Sequence, residues 1–453
     1  MKILLIQCPT SHLGSGEKVY PIGLARLSAL VPVDDVKCCL DLNLHPDPWP
    51  VLKETVTKVE PEVALLSFRN IDPLAGQQAS YLSSLTITAA IVRRLAPTSR
   101  IIAGGPAFSM FAYRLMTEIP EIDFGLMGEG ENAFARLIGH DLSPGAVGGL
   151  LWRQNGRIRQ NPPDDAVDVD GLPMADTRGF SPKAYAGENA YVAAMGIEGK
   201  RGCDLACGYC LYPFLGGRRF RLRDPEKIAA EMQRLKVEHG IGLFHFTDPV
   251  LNRPREHFRR LCRTLIKKRT HVAWAGFFRE DALDDDTAAL AQDAGLSAIY
   301  FSADALTNHG LKLLNKQLAM AQILKAAQVT AKRRILTVQH FLVNLPDEDR
   351  PDHFVEAQEN LKRLLDIHAP AANLGAVVFN AVRLYPQAPL TKRLIRKKMI
   401  PPDLDLLYPV YYNPPATAHV RHRLEHLCRQ AAVMARLGLY DATKGPQPLQ
   451  GDP

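Results

Sequence analysis

Short apolar runs alternate with helical stretches along most of this chain, and that rhythm restricts the fold more than any other feature. Residues 2–8 form a short apolar run that stops at Pro9-Thr10-Ser11 and a glycine-containing loop, as a strand buried on both faces of a parallel sheet does. Helical periodicity follows at 22–30. Strand-like runs occupy 36–42, 63–68, 100–104 and 124–127, with helices at about 80–95 and from near Asn132. Residues 1–150 therefore predict an α/β doubly wound parallel sheet, whose ligands sit at the C-terminal strand ends.

Residues 151–190 change character, with a hairpin around Asn155-Gly156 and the turn Asn161-Pro162-Pro163-Asp164-Asp165, and read as a linker laid over the surface. The rhythm resumes over 191–395, with strands at 191–197, 243–248, 272–278, 298–304, 338–343 and 376–383. A helix over 225–238 opens with Asp224 as N-cap and Pro225 at its first position. Six strands in this pattern predict a partial (β/α)6 barrel with its site at the C-terminal rim. Residues 396–453 read as a small helical cap, helical from 418 to 437.

The second series opens on Cys203-Asp204-Leu205-Ala206-Cys207-Gly208-Tyr209-Cys210. Thiolates without carboxylate or imidazole partners favour zinc, Cu(I) or iron–sulfur clusters. Structural zinc takes four ligands, usually as two pairs, and no second Cys pair follows. Three clustered thiols suit a four-iron cluster with one iron open to an outside ligand. A three-Cys zinc knot and plain buried thiols are the competing readings.

Composition excludes several classes. The 453 residues carry a formal net charge of +7, with 46% hydrophobic and 23% charged residues, as ordinary globular proteins do. Eight cysteines, three in one loop, are too sparse for a disulfide framework. No apolar run reaches the roughly 18–20 residues of a membrane span, and the N-terminus shows no cleavage signal, so a reducing cytoplasm is expected. The dense run Arg218-Arg219-Phe220-Arg221-Leu222-Arg223 reads as a solvated face or an anion contact near the cysteines, and no nucleic-acid partner is expected.

The CxxxCxxC run, with Tyr209 directly before its last Cys, resembles the signature of the radical S-adenosylmethionine (radical SAM) superfamily. That resemblance implies a [4Fe-4S] cluster on Cys203, Cys207 and Cys210, with SAM chelated to the open iron and Tyr209 beside its adenine. Gly104-Gly105 and Gly128-Glu129-Gly130-Glu131 end strands upstream, and with Ser67-Phe68-Arg69-Asn70-Ile71-Asp72 they resemble the cobalamin-binding-domain branch of that superfamily over residues 1–390. The branch implies a flavodoxin-like first domain holding cobalamin, with Gly104, Gly105, Gly128 and Glu129 around it and Arg69 towards the lower face of its cobalt. The DxHxxG motif that gives other cobalamin proteins a histidine on cobalt is missing, since Asp41-Leu42-Asn43-Leu44-His45 does not fit it.

At the barrel rim, Arg279, Ser302, Asp304 and Arg383 (of Arg383-Leu384-Tyr385-Pro386) are the candidate SAM contacts. Tyr212, Asp248 and Tyr300 are the candidate catalytic groups, and each of these side chains reads equally as a cap or a salt-bridge partner. Asn344-Leu345-Pro346-Asp347 stands where relatives carry a glycine–proline–glycine turn.

The implied reaction is attack by a 5′-deoxyadenosyl radical on an unactivated carbon of a small molecule, followed by cobalamin-dependent methyl transfer. Dehydration or deoxygenation of a sugar-like substrate is the alternative, and a cluster protein that only transfers electrons is a further one. An external one-electron reductant (flavodoxin, ferredoxin or a dedicated reductase) is expected.

Overall fold

The computed structural model describes residues 1–10, 18–73, 79–163, 165–185, 192–345, 350–412, 418–433 and 435–437. The first sheet takes β1 (Lys2–Gln7), β2 (Val36–Asp41), β3 (Val63–Ser67), β4 (Arg100–Gly104) and β5 (Phe124–Leu126), with β6 (Leu150–Gln154) and β7 (Arg157–Gln160) added, in the order β2-β1-β3-β4-β5-β6-β7. The first five are parallel, with Leu5 opposite Leu65 and Leu65 opposite Ile102. This is the flavodoxin-like order, which turns round at β1 and β3.

Side-chain alternation splits the sheet's apolar residues between two cores. Leu4, Ile6, Ala64 and Leu66 pack with helices Pro48–Val59, Leu82–Leu95 and Pro106–Glu118. Leu5, Leu65 and Ile102 pack towards helices Ile22–Ala29 and Glu131–Gly139, in a cluster that continues to Ile228, Phe258 and Trp274 of the second unit. One apolar core therefore joins the two units.

The start of the 151–190 stretch departs from the linker reading. β6 and β7 pair antiparallel across Asn155 (φ 51°) and Gly156 (φ 72°), and β6 pairs with β5. Leu150 and Leu151 are buried, which draws the hairpin onto the sheet.

The second sheet contains β8 (Gly196–Ile197), β11 (Leu243–Phe246), β12 (Ala273–Phe278), β13 (Leu296–Asp304), β14 (Leu336–Leu342), β15 (Leu374–Asn380) and β18 (Ala435–Leu437). Its order is β18-β15-β14-β13-β12-β11-β8, and its paired strands are parallel. β8 and β18 are edges, so the barrel is partial; β16 (Val382–Arg383) and β17 (Tyr411–Tyr412) form a separate antiparallel pair. β8 is shorter than the expected 191–197 strand, whose Tyr191 lies outside the described residues, as do Ser11, Asp164, Pro346 and Asp347. Helix Pro225–His239 is capped as its sequence requires: the Asp224 carboxylate accepts from the Glu226 N–H at 3.1 Å, and Gly240 closes the helix at φ 72°.

The expected helix over 418–437 is interrupted. It spans Ala418–Gln430, Ala432 adopts φ 53°, and Ala435–Leu437 pairs with β15, with Ala435 opposite Val377. A left-handed residue stops the helix, and the open edge of β15 takes the segment as a strand.

Candidate active site

The cysteine loop is tied off at its base. β9 (Lys200–Arg201) pairs antiparallel with β10 (Arg221–Leu222), and the Cys203 N–H donates to the Gly217 carbonyl at 3.1 Å. Gly202 lies at φ 85°, and a Cβ there would stand 2.1 Å from the Arg219 carbonyl oxygen. Only glycine fits. The Gly208 N–H donates to the Leu314 carbonyl at 2.8 Å, and the Asn315 amide donates to the Ala206 carbonyl at 2.8 Å.

The three thiols share one small cluster with Leu205, Tyr209 and Val250. Burial raises the pKa of all three, that of Cys210 to about 12, while Lys316 and Arg279 act against the rise at Cys207. Among the described residues, no group of three or more His, Cys, Asp or Glu side chains is arranged as a ready-made metal site. The thiols nonetheless fit an iron–sulfur cluster: they are soft donors gathered together in one loop. A bound metal deprotonates its thiols and so reverses the effect of burial.

Beside the loop, the Tyr209 hydroxyl donates to the Asp304 carboxylate. Lys316 donates to the same carboxylate at 2.6 Å and to the Ser302 carbonyl at 2.6 Å, and stands 5.8 Å from the Tyr209 ring centre. Tyr209, Ser302 and Asp304 are thus brought together beside the cysteines. Nothing in the sequence around Lys316 marks it as their common partner.

Other rim candidates are directed elsewhere. Asp248 is buried, accepts from the Gly199 and Lys200 N–H groups at 2.7 and 3.2 Å, and pairs with Lys200 Nζ at 2.9 Å. That set leaves it holding the strand-to-loop backbone rather than facing a substrate. Arg279 spends its guanidinium on Asp281 at 2.9 Å and on the Lys316 and Gln317 carbonyls at 2.6 and 2.8 Å. Arg383, expected beside SAM, instead pairs with Asp72 of the first unit at 2.7 Å and donates to the Leu384 carbonyl at 2.6 Å. Tyr300 lies inside the barrel, 5.3 Å from the His245 ring, 5.4 Å from Phe277 and 6.3 Å from His340.

A cavity of about 400 Å³ lies between the units. Ser67, Arg69, Gly104, Gly105, Gly128 and Glu129 line it from the first sheet's strand ends; Arg201, Gly202, Tyr212 and Leu215 line it from the cysteine-loop side. Tyr212 is half-exposed, and of the three candidate catalytic groups it alone lines this cavity. Gly105 sits at φ 104°, where a Cβ would meet the Phe68 carbonyl oxygen at 2.6 Å. The bare backbone at these strand ends fits a broad, flat group pressed against it.

The glutamates of the Gly128–Glu131 turn bridge the units. Glu129 takes two bonds of 2.5 Å from Arg221, and Glu131 accepts from Arg201 at 2.5 Å. Arg201 also pairs with Glu198 at 2.7 Å. Glu129 therefore anchors the base of the cysteine loop while lining the cavity, a role its turn motif did not reveal.

Residues 197–359 match the model of the radical SAM superfamily. That stretch holds Cys203, Cys207 and Cys210. An uncharacterized methyltransferase of Pyrococcus horikoshii is 24% identical over 377 residues, covering 81% of this chain and 79% of that protein. An anaerobic magnesium-protoporphyrin IX monomethyl ester cyclase of Synechocystis is 27% identical over 387 residues, covering 81% of this chain and 72% of that protein. The radical SAM methyltransferase TsrM of Kitasatospora setae, solved with cobalamin and a [4Fe-4S] cluster, shares the fold. Its TM-score is 0.73 at 19% identity, over 94% of this chain and 84% of that one. Like the superfamily at large, this radical SAM enzyme works with SAM and a [4Fe-4S] cluster. Among the described residues, no helix is long and apolar enough to cross a membrane.

Proposed function

We propose that this enzyme transfers a methyl group from SAM to an unactivated carbon of a small molecule, with cobalamin between its two units and the cluster on Cys203, Cys207 and Cys210. The observation that carries this reading is the cavity lined jointly by the first sheet's strand ends and the cysteine loop. When bound, the reduced cluster and SAM supply a carbon-centred oxidant, and the corrin supplies a methyl carrier.

The chain's own part is positioning and exclusion of water. Gly104 and Gly105 give the flat ring a floor without side chains, with Arg69 at the same strand ends. Among the described residues that line the cavity, none is a histidine. Tyr209, fixed by Asp304 and Lys316, keeps one ring orientation beside the cluster. The His245, Phe277, Tyr300 and His340 rings pack on one another in the barrel interior. A plain electron carrier needs no cavity shared by two units.

In turnover with SAM labelled in its methyl group, the label is expected in a carbon-bound methyl of the product, with S-adenosylhomocysteine and 5′-deoxyadenosine formed one for one. The cyclase among the relatives favours a second reading, radical chemistry without methyl transfer, such as dehydration or deoxygenation. An unlabelled product, with 5′-deoxyadenosine alone, would establish that reading instead.

A further inference from the structure

The cysteine loop is held from outside by two elements. Helix Asn308–Leu313 leads into Leu314 and Asn315, which bond the Gly208 N–H and the Ala206 carbonyl at 2.8 Å each. Helix Pro389–Arg396 places the Leu390 N–H 2.7 Å from the Gly208 carbonyl. Arg393 ties the two together through the Leu313 carbonyl at 3.1 Å. The peptide between Cys207 and Cys210 is thus in direct bonding contact with both.

Both elements are devoid of acid. No Asp or Glu occurs between Asp304 and Asp347, or between Asp366 and Asp403. The second helix and its end carry Lys392, Arg393, Arg396, Lys397 and Lys398 instead. Lys392, Arg396, Lys397 and Lys398 are exposed, as is Lys312 on the first helix. None of these five makes an ion pair among the described residues, and they stand together on the two elements that bond the cysteine loop. Pro389, Lys392, Ile395 and Arg396 line a shallow surface recess of about 510 Å³. At about 1.5 Å per residue, Leu390 and Arg396 are roughly 9 Å apart along the helix axis, so the charge lies close to the loop.

We infer that this basic face is the docking surface for a small acidic one-electron carrier protein, which passes its electron to the metal centre through the Leu390–Gly208 contact. The inference rests on the radical SAM reading, because only a reaction consuming single electrons needs such an entry point. In the hand-over the carrier is oxidised by one electron and the cluster is reduced by one, and no bond to the protein changes. Unpaired positive charge steers an acidic partner and aligns it before close contact, with a strength that falls as salt rises.

The test uses a purified acidic flavodoxin and the full-length protein. Charge reversal at four positions (K392E, R396E, K397E and K398E together) is expected to weaken flavodoxin binding by tenfold or more and to abolish its salt dependence. The same reversal at Lys53 and Lys58, exposed on helix Pro48–Val59, should leave binding unchanged. Binding is measured by calorimetric titration of the protein without its cofactors, so the readout does not depend on catalysis. In reconstituted protein, flavodoxin-driven SAM cleavage should fall with the binding while dithionite-driven cleavage stays at the wild-type rate, which also shows that the variant folds. The milder K392A/K397A pair gives the same readout at smaller amplitude should the fourfold variant fail to fold. Undiminished flavodoxin binding and reduction in the reversed variants would overturn the docking surface. So would binding of anionic vesicles by the wild type that the reversal abolishes while flavodoxin binding persists. Absence of SAM cleavage with dithionite in the wild type would instead overturn the radical SAM reading itself.

Discussion

The strand ends of the two sheets solve the problem of a buried site in opposite ways. In the first sheet, Gly104, Gly105 and Gly128 bring bare backbone to a cavity that Arg69 and Glu129 also line. In the barrel the strand ends are crowded with charge, and nearly every charged group has an internal partner. Asp248 holds Lys200, Asp304 holds Lys316 and Tyr209, and Arg383 reaches into the first unit for Asp72. A charged residue at a strand end is therefore no sign of ligand contact until its partners are known. A charge stripped of water is costly, and a neighbour of opposite sign offsets that cost.

This contrast predicts where single changes hurt most. Cys207→Ala removes one of the three proposed cluster ligands, and both the cluster's absorbance and all 5′-deoxyadenosine formation should disappear; full cluster content with turnover would refute the assignment. Asp248→Ala leaves the Lys200 ammonium buried without its partner and should lower stability by about 3–5 kcal/mol in denaturant titration. A loss under about 1 kcal/mol would mean that the barrel rim is not held by its ion pairs. On the bare side, Gly105→Ala puts a methyl group against the Phe68 carbonyl at positive φ and should cost about 1–3 kcal/mol. Its diagnostic effect is loss of corrin retention with cluster content unchanged, which separates the two regions.

The smallest effect is conditional on pH. Burial among rings lowers the His245 pKa from 6.5 to about 4. The unfolded chain takes up this proton as pH falls below about 6.5, and the folded form resists until about 4, so the stabilising term is complete above that window and is lost on acidification through it. By about pH 5 the loss is about 2 kcal/mol, and His245→Phe should flatten the stability curve by that amount between about pH 7 and pH 5. An unchanged acid limb in the variant would mean that this imidazole titrates normally in the fold.

The alternation of strands and helices was legible because a parallel strand buried on both faces must be apolar throughout, as Ile3 to Ile6 and Val63 to Leu66 are. Two helices were not. Pro48–Val59 opens Pro-Trp-Pro, and Pro106–Glu118 starts directly on the glycine turn and is kinked at Phe111. In the site, the three thiols stood out by their spacing, while the glycine turns pointed to a ligand only through the family resemblance. Arg201 with Glu131 and Arg383 with Asp72 were not, because these pairs join residues 70 and 311 positions apart. The strand-end carboxylate at Asp248 was visible in sequence, but not that it turns back on Lys200 of its own loop base.

The central claim is that the bare strand ends hold a corrin against the cysteine loop. Its most direct test is anaerobic reconstitution with iron, sulfide and hydroxocobalamin, then gel filtration and electron paramagnetic resonance of the Co(II) form. The account predicts one corrin retained per chain, with no nitrogen superhyperfine splitting from a protein ligand. A protein that keeps its full cluster but elutes without corrin would contradict it, and would leave the first unit as a scaffold.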